Sequence, residues 1–221
     1  IGSEAMDDTD AGSTSLGSED NTFIGHRAGS GTWLDAASNG NVGIGNYTMD
    51  SALNGALGNV SLGHFALSEL TTGDYNIGIG SNAGLSITTG ANNVILGRLA
   101  GDTMTGTSHT VVIGFEAGQA INNTGANGTV AIGYQAGYAM TSGAGNTFVG
   151  YNAGHELVTG HSNTFLGYEA GGDFDGGESN MTAVGRNAMG SHDNESSSNC
   201  VAIGVNALKA GQAINNTGAN G

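Results

Sequence analysis

Four aromatic residues form the most regular series of chemically useful side chains in this sequence. Phe115, Tyr134, Tyr151 and Tyr168 each follow a glycine directly, and they are 19, 17 and 17 residues apart. Side chains at such intervals lie in one row if the chain winds through stacked coils of that length. A tyrosine row can stack on sugar rings and bond their hydroxyl groups, and it can equally stabilise the coils or contact another chain. The series therefore predicts a local aromatic ladder, a candidate surface for glycans or a partner.

The residues that could bind metal ions, histidine and the acidic residues, lack the spacing of known metal-binding motifs. The six histidines fall at different places in the sequence pattern, without an H-x-H or HExxH motif or paired cysteines: His26, His64, His109, His155, His161 and His192. Asp173, Asp175 and Glu178 could attract calcium, but the GGxGxD nonapeptide of calcium β-rolls is absent. We therefore expect solvated acidic loops and no metal site.

The sequence also argues against catalysis. No Gly-x-Ser-x-Gly motif, phosphate-binding loop or dinucleotide fingerprint precedes a predicted helix. Cys200 is the single cysteine, so an internal disulfide is excluded and the side chain is predicted to be a lone thiol. The sequence predicts a protein that is not an enzyme and that needs no cofactor.

Seven N-x-S/T sequons occur in a chain that is rich in all three residue types. They begin at Asn46, Asn59, Asn122, Asn127, Asn180, Asn194 and Asn215. If the producing cell is eukaryotic, Asn122, Asn127 and Asn194 are the expected glycan acceptors, because they lie in polar turns.

A short phrase ending in glycine provides the framework for all these residues. Variants of it, such as TFIG, VGIG, VILG and VAIG, recur eleven times. The repeat glycines are Gly25, Gly45, Gly63, Gly80, Gly97, Gly114, Gly133, Gly150, Gly167, Gly185 and Gly204, at spacings of 17 to 20 residues. So short and regular a period indicates stacked structural repeats, each resting on its neighbours.

Positions within the phrase predict a β-strand. The residue before the repeat glycine is always aliphatic, and the third residue before it is Val, Ile or Thr. Because strand side chains alternate, we expect these two positions to face inward and the variable residue between them to form a second, partly buried face. The fourth residue before the repeat glycine is mostly Asn, which suits a corner of the chain. In stacked coils these side chains would form a ladder of amides.

The rest of each repeat predicts a tight corner, a second strand and a turn. Alanine recurs three places after the repeat glycine, where small residues allow close backbone approach. Stretches such as LSITTGANN read as a short strand followed by a polar turn. The predicted fold is all-β: a parallel β-solenoid (β-roll) of about 11–12 coils of 17–20 residues, with two short strands per coil. We expect residues 1–221 to be one continuous segment of a longer repetitive protein, with irregular coils at residues 1–20 and 171–198.

Composition narrows the possible partners. The chain has 42 glycines and no proline, and its formal net charge is −15, with four basic residues against 19 carboxylates. Such acidity argues against nucleic acid and anionic membranes as partners. The sequence contains no run of about 18 apolar residues, so it predicts no membrane-spanning helix. Because a coil with two inward aliphatic side chains has a thin core, we expect several chains to pack side by side.

Segments such as NTFVGYNAGHELVTGHSNTFLGYEAG and TVAIGYQAG resemble two related groups of proteins. One is the head region of trimeric autotransporter adhesins, and the other is the repetitive shaft of phage tail-fibre proteins with NTxIGxxAG repeats. The resemblance runs from about Asn21 to Leu208. It implies a homotrimeric parallel β-roll in an extracellular fibre, at a cell surface or on a virion.

Three functional hypotheses remain. The first is a structural or adhesive fibre segment that extends and presents a binding surface, with cell-surface glycans as possible ligands. The second is a subunit of an end-to-end filament, because joining Gly221 to Ile1 would keep the glycine spacing within its normal range. The third is an ice-binding solenoid, which requires a regular threonine array, but paired threonines occur only at Thr71–Thr72 and Thr88–Thr89.

Overall fold

The structure, a computed structural model, is an all-β parallel solenoid of about ten turns. It describes residues 2–6, 17–33, 36–174, 176–190 and 198–209. Eleven three-residue strands form one sheet in sequence order, all neighbours being parallel. They are β1 (Thr22–Ile24), β2 (Val42–Ile44), β3 (Val60–Leu62), β4 (Ile77–Ile79), β5 (Val94–Leu96), β6 (Val111–Ile113), β7 (Val130–Ile132), β8 (Thr147–Val149), β9 (Thr164–Leu166), β10 (Thr182–Val184) and β11 (Val201–Ile203). The predicted fold class is confirmed, and we call the turn of chain that begins with each strand coil 1 to coil 11.

Each strand coincides with the repeated phrase, and equivalent residues pair in register. Val94 pairs with Val111 and Leu96 pairs with Ile113, and the same relation holds along the sheet. The longer turn after β9 does not interrupt it, because Thr164 still pairs with Thr182. The repeat period therefore sets the register of the sheet.

The predicted second strand is absent from the described part of each coil. In coil 3 the N–H groups of Thr71, Thr72 and Gly73 all donate to one carbonyl, that of Thr88, at 3.0, 3.0 and 3.2 Å. A strand ladder requires donors and acceptors that alternate along both segments. Because the backbone curls around a single acceptor here, the coils remain hydrogen-bonded to each other through a corner rather than a sheet. A 3-10 helix, Thr124–Ala126, occupies the corresponding region of coil 6.

The predicted inner and outer faces of the sheet are reversed. The middle residue of every strand is buried, whereas the two flanking residues are exposed or half-buried. The aliphatic residues before each repeat glycine, such as Ile24 and Ile79, therefore point away from the core. The prediction took the more apolar positions as the inner ones, but the variable middle position forms the inner face.

The core contains the middle strand residue, the alanine after the corner and an apolar residue from the second half of the coil. The alanines at this corner are buried, as predicted, with Ala28 and Ala153 among them. The apolar residues from the second half of coils 3 to 9 are also fully buried: Leu70, Ile87, Met104, Ile121, Met140, Leu157 and Phe174. This third set, which the sequence reading assigned to a second strand, supplies much of the core.

Large and small side chains at two inward positions of the repeat complement each other in volume. Phe148 is the middle residue of β8, and a Cβ built on Gly154 would lie 2.7 Å from its ring. In coil 2 the order is reversed: the middle residue is Gly43 and the residue four places after the repeat glycine is the buried Met49. A large residue also fills space in a neighbouring coil: a Cβ on Gly43 would lie 2.5 Å from the Phe23 ring of coil 1, and one on Gly137 would lie 2.8 Å from the Phe148 ring. Close packing is therefore met by large and small residues within a coil and across adjacent coils.

The predicted asparagine ladder is present and buried. Asn59, Asn76 and Asn93 are fully buried, and the Nδ2 of each donates to the Oδ1 of the asparagine in the preceding coil, at 3.0, 3.1 and 2.9 Å. Each Nδ2 also donates to a backbone carbonyl across the coil, as Asn76 does to Gly90 O at 2.8 Å. Thr110 continues the row by donating to Asn93 Oδ1 at 2.7 Å. Where this position is asparagine, the ladder ties the start of the strand to the opposite turn.

Candidate functional site

The aromatic ladder forms as the sequence predicts. Phe115 and Tyr134 stack with ring centroids 5.5 Å apart, Tyr134 and Tyr151 at 4.8 Å, and Tyr151 and Tyr168 at 5.0 Å. The angle between adjacent ring planes is 13°, 7° and 7°. The three tyrosines are 41–47% exposed. Stacked parallel coils hold the rings together because equivalent residues in neighbouring coils are about 4.8 Å apart.

Stacking limits how this ladder can meet a ligand. Both faces of Tyr134 and Tyr151 are covered by neighbouring rings. A sugar ring that packs on an aromatic residue needs a free face, so the two inner rings offer only their edges and hydroxyl groups. A glycan or partner chain on this surface would therefore be bound through the phenol row.

Charged groups border both ends of the ladder. The guanidinium of Arg98 lies over the Phe115 ring, 5.3 Å from its centroid, a geometry that favours cation–π attraction. At the other end, the Glu169 carboxylate raises the pKa of the Tyr168 phenol, first as its hydrogen-bond acceptor and then through its negative charge. The Tyr168 phenol therefore remains protonated at neutral pH.

A second aromatic group, which the sequence reading missed, occupies coils 1 to 3. Tyr47 stacks on Phe65 with centroids 4.8 Å apart, His26 contacts Tyr47 at 5.2 Å, and His64 contacts Phe65 at 4.2 Å. The histidines directly follow the repeat glycine, whereas Tyr47 and Phe65 are one place further on. Because the rings come from two positions of the repeat, no single row of the sequence reveals them.

The outer side of the sheet forms a second candidate surface, which we call the aliphatic face. It consists of the first and last residues of β1 to β11, which are all aliphatic except for Thr22, Thr147, Thr164 and Thr182. Ile24, Leu62 and Leu166 are among its exposed members. In a chain with 19 carboxylates, this face contains no charged residue.

The candidate glycan acceptors differ in accessibility. Asn122 is exposed beside the 3-10 helix, and Asn127 is half-buried, its Oδ1 accepting from the Ser108 N–H at 2.8 Å. Asn59, the start of another sequon, is buried in the asparagine ladder and cannot accept a glycan in the folded chain. Asn194 and Asn215 lie outside the described residues. Glycosylation at Asn122 and Asn127 stays a prediction.

The described residues contain no group of three or more His, Cys, Asp or Glu side chains that could hold a metal ion. Of the acidic loop, Asp173 is exposed and Glu178 is buried, while Asp175 lies outside the described part of the chain. Cys200 is a free, half-buried thiol at the asparagine position of coil 11. No helix within the described ranges has the length and apolar character needed to cross a membrane.

The paired threonines do not form an open array. The hydroxyl groups of Thr71, Thr88 and Thr105 donate to backbone carbonyls of the following coil, at 3.0, 3.4 and 2.8 Å. These hydroxyls are used to stack the coils, as is that of Thr141, which donates to Val158 O at 3.2 Å, and Asn122 interrupts the row in coil 6.

Comparison of the chain with family models, with curated proteins and with solved structures gave no match.

Proposed function

We propose that this chain is a non-enzymatic segment of an extracellular fibre, such as a phage tail fibre or a surface adhesin, and that it assembles as a homotrimer through the aliphatic face. The observation that carries the proposal is that this apolar face runs along the whole sheet and is exposed or half-buried in every strand. The resemblance of the repeats to trimeric adhesin heads and tail-fibre shafts supports the same assembly. The solenoid then extends the fibre and presents its remaining surface to ligands.

The size and chemistry of the aliphatic face favour burial against other chains. Ten steps of about 4.8 Å between strands make the apolar strip roughly 48 Å long. Contiguous apolar patches of several hundred Å² mark sites of protein–protein contact. The absence of charge across the strip is also typical of the centre of an interface.

A charge in the middle of the aliphatic face tests the proposal. Ile79 is 37% exposed at the end of β4, and Ile79→Lys would place an unpaired ammonium group within a buried interface. We expect sedimentation equilibrium to show a constant mass of three chains for the unchanged protein and one chain for the variant, because an unpaired buried charge costs several kcal/mol.

Thr89→Lys is the matched control, because it adds the same charge at an exposed turn of the same coil. It should leave the three-chain mass unchanged. A single-chain mass for the unchanged protein would refute the trimer, as would an Ile79→Lys variant that is folded by circular dichroism and still has the mass of three chains.

The filament is a second candidate, because β1 to β11 stack in sequence order and a coil of another chain could extend the described sheet in the same way. A parallel edge strand offers unpaired backbone groups to a further strand. Filament growth would appear in the same experiment as a mass that rises with concentration without limit. Ice binding receives no support from the threonine hydroxyl groups, and absence of thermal hysteresis would dispose of it.

A further inference from the structure

We propose that coils 7 to 9 contain a binding site for one ring of an uncharged saccharide, which stacks on the imidazole of His155. This inference deepens the proposed function, since it names a ligand class for the surface that the fibre presents. The site is a cavity of about 200 Å³ lined by Asn152, His155, Glu156, Glu169, Gly172 and Asp173.

The cavity is the vacant place in a second ring ladder. Tyr138, His155 and Gly172 occupy the same position, five places after the repeat glycine, in coils 7, 8 and 9. Tyr138 and His155 stack with centroids 5.2 Å apart and planes 8° apart. The next place along this row belongs to Gly172, which has no side chain. One face of the imidazole is therefore covered by Tyr138, and the other borders the cavity.

An uncovered ring face distinguishes this place from the aromatic ladder. The inner rings of that ladder have neighbours on both sides, whereas His155 has a ring neighbour on one side and glycine on the other. A flat pyranose ring between His155 and coil 9 would occupy the space of the missing ring. Contact of a sugar's C–H groups with an aromatic face is the stacking that such sites require.

Glycine at this position is not required by the backbone. The same position is Asp102 in coil 5, Gln119 in coil 6 and Tyr138 in coil 7. A Cβ built on Gly172 would lie 3.3 Å from the carbonyl oxygen of Glu169, and 3.7 Å from the carbonyl carbon of Glu169 and the carbonyl oxygen of Asn152. The space therefore exists because coil 9 lacks a side chain that other coils carry, and a larger residue would fill it.

The polar lining suits hydroxyl groups. Glu156, Glu169 and Asp173 place carboxylates around the cavity, and ionised carboxylates are acceptors for hydroxyl donors. At its wall, Asn152 Oδ1 is buried and has no hydrogen-bond partner. An unpaired buried amide oxygen costs free energy, which a small rotation of the amide toward a ligand hydroxyl would recover. Aromatic face and acceptors together match a polyhydroxylated ring.

The charge of the lining selects among sugars. Three acidic side chains line the cavity, those of Glu156, Glu169 and Asp173. An acidic sugar would therefore meet repulsion from like charges at short distance. With its oxygen and nitrogen exchanged, the Asn187 amide bridges the Glu169 carboxylate and the Lys209 ammonium, each at 3.0 Å. Glu156 and Asp173 do not share this bridge. We expect uncharged saccharides to bind and uronic or sialic acids to be excluded.

The test begins with a printed array of neutral, amino and acidic oligosaccharides, probed with the fluorescently labelled full chain. Isothermal titration calorimetry with the best neutral oligosaccharide then compares four variants. His155→Ala removes the platform, Gly172→Gln fills the cavity, and both should weaken binding at least tenfold. His155→Tyr keeps a stacked ring and should stay within threefold of the unchanged protein.

His161→Ala is the control, because it removes an exposed histidine from the turn of the same coil. Its affinity should be unchanged. The proposal is overturned if no neutral oligosaccharide binds, if acidic sugars bind as well as neutral ones, or if Gly172→Gln binds normally. The mass of each variant in sedimentation equilibrium reports on the trimer separately, so that either proposal can fail while the other stands.

Discussion

Replacing Gly80 by alanine is expected to lower the thermal unfolding midpoint by roughly 10 °C or more, which for a chain of this size corresponds to about 4 kcal/mol of stability. Gly80 has a φ of +131°, a conformation that side chains rarely adopt. A Cβ there would also lie 2.6 Å from the carbonyl oxygen of Gly97 in the next coil. Neither coil can move away without breaking the sheet between β4 and β5, and differential scanning calorimetry would measure the loss.

Gly145→Ala separates backbone conformation from the clash between coils. Gly145 also has positive φ, +70°, but a Cβ on it would have no atom within 4 Å. Its replacement should cost only the conformational strain, about 1–2 kcal/mol. Equal losses for the two variants would show that close approach of the coils at the repeat glycine contributes nothing.

Asn76→Ala is expected to cost about 3–5 kcal/mol of unfolding free energy, because several buried polar groups lose partners at once. Asn76 Oδ1 accepts from both the N–H and the Nδ2 of Asn93, at 3.2 and 2.9 Å, and its Nδ2 donates to Gly90 O at 2.8 Å. No water can reach these groups, since the residue is fully buried. Urea denaturation followed by circular dichroism would measure the effect.

Two further variants calibrate this result. Asn76→Thr should recover part of the loss, because Thr110 occupies the same place in coil 6 and donates to the preceding amide at 2.7 Å. Asn122→Ala removes an exposed amide and should change stability by no more than about 0.5 kcal/mol. If Asn76→Ala proved as mild as Asn122→Ala, the asparagine ladder would be a consequence of the fold and not a support for it.

The strand positions, their register and both ladders are predictable from the repeat because each depends on one residue type that recurs at one position. The asparagine before each strand and the aromatic residue after four of the glycines are such rows. A row in the sequence becomes a row in space once the chain is known to be a solenoid, so Tyr134 and Tyr151 could be placed side by side without coordinates.

The inner face was predicted wrongly because the core is not made of one row. Gly43, Ser61 and Phe148 all occupy the inward position, and their sizes agree only when Met49, Leu67 and Gly154 are considered with them. The relevant signal is the inverse relation in volume between positions six residues apart. A search for apolar residues at single positions cannot find it, and it favours the uniformly aliphatic outer positions instead.

The saccharide cavity was missed for a different reason. His155 and Gly172 are ordinary residues in a sequence with six histidines and 42 glycines. The cavity arises where a row of side chains is interrupted by a glycine. A motif search detects residues that are present, so it does not detect a missing side chain. Aligning the coils by their repeat glycines would have shown Tyr138, His155 and Gly172 in succession.

Volume balance within a coil also bears on how such a chain can change in length. Coil 9 carries both members of its pair, Phe165 and Gly171, so gene duplication or deletion of such a pair-balanced coil would preserve much of the packing on either side. Coils 3 and 4 are different, because Leu67 fills the space left by Gly78, whose Cβ would lie 2.7 Å from Leu67 Cγ. Coils 3 and 4 should therefore be duplicated or deleted together. Recombination between the repeats would be tolerated at some boundaries between coils and not at others.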